Sequence, residues 1–171
     1  MAITKKVHRL KDVDHEDRIL RTFILFVQAA DATMKYANAH FYRRAGLSVI
    51  KFMVLRIMAA NGGIMRPSEI ADWTLRERHN ITTLGNRLER DGFVKAERSD
   101  KDRRFINITL TDKGREMLSQ ATPVARDIVN QVMLSITEGD AVLLEKLLGA
   151  LRQNAHNGLK NVTKHSQSRL V

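Results

Sequence analysis

The chain has 171 residues with a formal net charge of +10, from 29 Lys and Arg against 19 Asp and Glu. It is 43% hydrophobic and has only two prolines and nine glycines, which suits one domain with helical extensions and argues against general disorder. It has no cysteine, which excludes disulfides, thiol nucleophiles and thiol-based sensing within the chain.

Residues 1–12 are polar and basic and read as a loose arm. They carry no apolar segment after their basic residues, so they do not form a secretory signal, and no run reaches 18 apolar residues. The expected location is the cytoplasm. A first long helix is predicted from Asp14 to Arg44 (domain span 13–44). In it Ile19, Leu20, Phe23, Val27, Ala30, Met34, Ala37 and Phe41 recur at threes and fours. At about 1.5 Å per residue it spans about 45 Å, more than a small domain needs for its own core. A partner chain is the simple explanation.

Gly46 punctuates, and Leu47–Ala60 reads as a second helix with Ser48 as its cap. Asn61-Gly62-Gly63 stops it. Pro67-Ser68-Glu69-Ile70-Ala71-Asp72-Trp73 begins a short helix, with Pro67 in the first turn, where a missing N–H costs little. The next helix runs from Glu77 to Arg90 and ends at Asp91-Gly92, with Ile81, Leu84 and Leu88 inward. Phe93–Arg98 and Phe105–Leu110 alternate as two strands around a charged tip, Ser99–Arg104. Thr111 caps a helix over Asp112–Ser135, which Pro123 kinks or interrupts. A last helix over Glu138–Asn154 carries Val142, Leu143, Leu144, Leu147, Leu148 and Leu151, and a basic polar tail follows over 156–171.

The fold class is therefore mainly α with a small β wing. A winged helix-turn-helix over 45–111 is flanked by long N- and C-terminal helices (13–44 and 112–155) suited to dimerisation. Ile19, Phe23, Leu143, Leu147 and Leu151 are the dimer candidates; the plain alternative for the leucines is an intrachain core.

A helix fits the major groove of B-form DNA, where every base pair shows a distinct pattern of donors and acceptors. With Ile81, Leu84 and Leu88 inward, the opposite face offers Arg78, Thr82, Thr83, Asn86, Arg87 and Arg90, and His79 and Asn80 stand at the entering end. Base-reading amides, short hydroxyls and phosphate-binding guanidiniums share one face. The plain alternative is a solvated charged face; the short helix before it and the wing after it weigh against that. Gly85 costs about 1 kcal/mol relative to Ala inside a helix. Close approach to DNA or to a neighbouring helix would explain it; the alternative is that the glycine is neutral.

The stretches PSEIADW, NITTLGNRLERDGFV and SDKDRRFINITLTDKG resemble the MarR family of winged-helix transcription regulators. The likeness covers residues 20–150 in layout and 65–118 in detail. It implies a triangular homodimer on double-stranded DNA with a pseudo-palindromic operator, and half-sites about 34–36 Å apart. In the wing it implies that Arg104 enters the minor groove, which attracts arginine where it is narrow. Asp102 would orient it, with Lys101 and Arg103 on phosphates. Arg87 matches a commonly retained arginine. Thr83 stands where the family often has arginine, so a base preference does not transfer.

The family also implies repression of its own or neighbouring genes, and release by a small hydrophobic or aromatic acid. Residues 35–56 contain Lys35, Arg43, Arg44, Lys51 and Arg56 but no acid. Tyr36, His40, Arg44, Phe52 and Arg56 are the candidate ligand pocket; Phe41, Phe52 and Met53 also read as core.

No catalytic residue, metal site or cofactor is expected. The six histidines are scattered without HExxH spacing, and no Gly-rich phosphate loop is present. The rival readings are an architectural or non-specific nucleic-acid binder, and a winged helix that has become a protein-interaction module.

Overall fold

A computed structural model describes residues 17–98 and 106–167. Helix α1 (Arg18–Ala45) starts where the Asp17 carboxylate accepts from the backbone N–H groups of Ile19 and Leu20, at 2.8 and 3.0 Å. Asp14, the expected start, lies outside the described residues. Gly46 ends α1 in the left-handed region (φ 66°), its N–H bonding back to the Tyr42 carbonyl. Helix α2 (Val49–Ala60) is capped by Ser48, whose hydroxyl accepts from the Lys51 N–H.

The Asn61–Gly63 turn leads into a two-residue strand, β1 (Ile64–Met65), which the sequence reading did not include. Helix α3 (Pro67–Thr74) and helix α4 (Arg78–Arg90) then form the helix-turn-helix. Strands β2 (Val94–Arg98) and β3 (Ile106–Leu110) pair antiparallel, Val94 opposite Leu110 and Arg98 opposite Ile106. β1 adds to the other edge of β3, Met65 opposite Ile108, so the sheet is three-stranded in the order β1-β3-β2 rather than a two-stranded hairpin. Two residues are too few for a period-two pattern to register, which is why β1 escaped the reading.

Helix α5 (Asp112–Val132) begins at Thr111, whose hydroxyl accepts from the Gly114 N–H at 3.0 Å. It runs unbroken past Pro123 and stops three residues short of Ser135. Helix α6 (Glu138–Gln167) opens on a reciprocal pair: the Thr137 hydroxyl and N–H donate to the Asp140 carboxylate, and the Asp140 N–H donates to the Thr137 hydroxyl. These bonds hold the Asp140 carboxyl below its ordinary value. The helix continues well past Asn154. The expected polar tail begins inside the helix, where the Gln153 side chain donates to that of Asn157 one turn on.

The core is built on α2. Leu55 and Met58 are fully buried, with Leu47, Ile70, Ile81, Leu88 and Ala121 around them. Phe41 joins α1 to this core, its ring 4.9 Å from that of Phe52. Val124 and Ile128 carry the core along α5. By contrast, α6 buries none of its described side chains.

Candidate nucleic-acid interface

The reading helix is positioned by its own apolar stripe. Ile81, Leu84 and Leu88 are buried against Val54, Ile70 and Ile108, which turns the polar face outward. His79, Asn80, Thr82, Thr83, Asn86, Arg87 and Arg90 are all exposed. The side chain of Arg78 and the whole wing tip, with Lys101, Asp102, Arg103 and Arg104, lie outside the described residues. Gly85 does not belong to the outward face. A Cβ there would stand 3.3 Å from Ile108 Cδ1, so the glycine marks close packing on the sheet rather than room for DNA.

The turn before this helix is tight. Leu75 closes α3 in the left-handed region (φ 51°), a conformation that costs a non-glycine residue about 1–2 kcal/mol. Pro67 sits at the start of α3, and the Arg66 N–H donates to the Glu69 carboxylate at 2.7 Å.

The far end of α4 is fastened on three sides. Lys51 of α2 pairs with Asp91 at 2.5 Å. The Ala96 N–H of β2 donates to the Glu89 carboxylate at 2.8 Å. Lys113 of α5 donates to the Asp91 carbonyl at 2.8 Å and lies over the Phe93 ring. Lys51 was one of the cations in the acid-free segment; its partner lies 40 residues on, which local reading does not reveal. The hydroxyl of Thr83 donates to the His79 carbonyl at 3.1 Å, within its own helix.

Among the ligand-pocket candidates, three come together. Tyr36 and His40 stack at 4.3 Å between ring centres, and Arg44 follows one turn later. They line a cleft of about 440 Å³ with Asp127, Ile128, Asn130 and Gln131 of α5. Arg44 pairs with Asp127 there at 2.6 Å, across 83 residues of sequence. The sequence reading missed Asp127, Asn130 and Gln131, since only tertiary packing brings α5 beside α1. Phe52 is turned to Phe41 and Arg56 is exposed; neither lines this cleft.

The dimer candidates are apolar and exposed: Ile19 at 78%, Phe23 at 57% and Leu143 at 56%, with Leu147 and Leu151 close behind. Among the described residues no group of His, Asp or Glu is placed to hold a metal ion, and no helix is long and apolar enough to cross a membrane.

A short helix, a reading helix with an outward polar face and a three-stranded wing define a winged helix-turn-helix of the DNA-binding class. Residues 45–104 match the family model described as MarR family. The chain is 31% identical over 119 residues to the transcriptional repressor MprA of Escherichia coli K12, covering 67% of this chain and 68% of that protein. It is 31% identical over 130 residues to the HTH-type transcriptional repressor YetL of Bacillus subtilis, covering 74% and 78%. Its backbone matches that of Sco3205, a MarR family transcriptional regulator from Streptomyces coelicolor solved in complex with DNA. That match has a TM-score of 0.75 at 22% identity, over 82% of this chain and 92% of that one. The chain belongs to the MarR family: it is a DNA-binding transcription regulator and not an enzyme.

Proposed function

We propose that the chain acts as a homodimeric repressor of its own or neighbouring genes, reading a pseudo-palindromic operator. The observation that carries this reading is the division of one protomer into two unfinished surfaces. One is the outward polar face of α4; the other is the exposed apolar faces of α1 and α6. Two copies joined through Ile19, Phe23, Leu143, Leu147 and Leu151 would bury the second surface and set two copies of the first side by side. Repression is supported by the roles of the similar MprA and YetL as transcriptional repressors.

In this reading His79, Asn80, Thr82, Thr83 and Asn86 face base edges, with Arg78. Arg87 and Arg90, in the last turn of α4, meet phosphates. Thr83, exposed on this face with its hydroxyl bonded back to the helix, offers a methyl group that suits a thymine methyl. Arg104, with Asp102, Lys101 and Arg103, enters or flanks the neighbouring minor groove. The cleft of Tyr36, His40 and Arg44 receives a small aromatic acid, whose carboxylate replaces that of Asp127 on Arg44.

Footprinting upstream of the chain's own gene and its neighbours tests this. A protected, two-fold symmetric site that blocks transcription in a purified system is the expected result. Equal affinity for a mirrored site and scrambled DNA at moderate salt would instead indicate non-specific binding. Titration of aromatic acids into the complex tests release; Arg44→Ala should abolish it.

A further inference from the structure

The recognition segment carries three acids on a face built for a polyanion. Two are engaged with the protein itself. Glu89 accepts from the Ala96 N–H at 2.8 Å, and Asp91 pairs with Lys51 at 2.5 Å. Glu77 is different. It is the residue preceding α4, its side chain is 78% exposed, and its described partner is the equally exposed His79, at 3.2 Å through Nδ1.

A capping role does not explain it. Glutamate is not a favoured N-cap residue, and no first-turn N–H of α4 donates to the Glu77 side chain. Contact with phosphate does not explain it either, since the charges repel. Within the major groove a carboxylate has a matching donor, the N4 amino group of cytosine. The entering end of a recognition helix is where side chains reach base edges. His79 Nδ1 stands 3.2 Å from one carboxylate oxygen, Oε2, and among the described residues Oε1 is left to accept.

We propose that Glu77 is a specificity determinant: its carboxylate accepts from a cytosine amino group at one position of each half-site, held in place by His79. This rests on the reading of α4 as the base-reading helix. It also assigns a role to an acid on a DNA-facing surface, where simple attraction would leave it out.

The test uses the full chain and sequences that the native protein selects from a randomised duplex library. Every base is then placed at each half-site position, and affinities are read by fluorescence anisotropy. The native chain should prefer cytosine at one position near the start of α4, by about ten-fold or more. Glu77→Ala should lose the preference there and keep the others. Glu77→Gln should widen it to cytosine and adenine, because a carboxamide pairs with adenine. His79→Ala should reduce the preference less than Glu77→Ala does.

An unchanged base profile in Glu77→Ala, or a uniform gain in affinity for all sequences, overturns the proposal, as does a larger loss in His79→Ala. All three leave selective DNA reading intact. A native chain that selects no sequence defeats the base-reading assignment of α4 itself, and this inference with it.

Discussion

The winged lobe and the flanking helices solve opposite problems. The lobe, from Leu47 to Ala121, closes around Leu55, Met58, Ile70 and Leu88, and leaves polar groups outside. Helix α6 is denser in leucine but buries none of its described side chains, and the first half of α1 is as bare. Apolar residues in the lobe build a core within one protomer; those in the long helices stay exposed, where the proposed dimer would cover them. Exposed apolar side chains in this number are what an interaction site presents.

The sharpest way to break that contrast is to charge the unfinished surface. Leu147→Glu with Leu151→Glu should weaken self-association by about 4 kcal/mol or more, since each carboxylate would be buried unpaired between copies. Sedimentation should then show a monomer with helix content intact; an unchanged oligomer would place the interface elsewhere. The same exchange at Leu55 would unfold the lobe.

Next in size is Gly114→Ala. A Cβ at Gly114 would stand 2.1 Å from the Phe93 carbonyl oxygen and 2.7 Å from Leu110 Cδ1. Backbone cannot give way as a side chain can, so about 3 kcal/mol of stability should be lost in denaturant unfolding. A loss below about 1 kcal/mol would mean that α5 can slide away from the wing.

Arg87→Ala touches the outward face alone. Duplex affinity should fall about ten-fold, and the slope of log affinity against log salt should shrink by about one. Melting should barely move, because the residue is exposed. Loss of affinity without a change in slope would make Arg87 a base contact instead of a phosphate contact.

The smallest effect is a gain. Gly85→Ala restores helix propensity worth up to about 1 kcal/mol and asks only that the Ile108 methyl shift slightly. Operator affinity should stay the same, since the position faces the sheet. Weaker binding with unchanged stability would show that close approach to DNA needs the glycine after all.

These regions also differ in how far sequence alone revealed them. The spacing of Ile81, Leu84 and Leu88 placed α4 and its polar face correctly, because a buried stripe on a helix is a local pattern. Ser48 and Thr111 announced their helices in the same local way. What was hidden is non-local or too short. β1 is two residues long and exists only because β3 pairs with it. The Arg44–Asp127 and Lys51–Asp91 pairs join residues far apart in the chain. The continuation of α6 has no apolar stripe to mark it, so it read as a polar tail from His156 onward. Within the site, the exposed face of α4 was legible, but the fastening of Glu89 and Asp91, and so the distinctness of Glu77, emerged only from the packed structure.

Thr111 sits where three elements meet. Its hydroxyl donates to the Gly92 carbonyl at 2.7 Å while accepting from Gly114, and its N–H donates to the Phe93 carbonyl at 3.1 Å. The residue before it, Leu110, donates to the Gly63 carbonyl. These four bonds tie the start of α5 to the base of the wing and to the exit of α4. A rotation of α5 at this end would have to strain or break them, so Thr111 is where the long helix and the sheet share their backbone bonding.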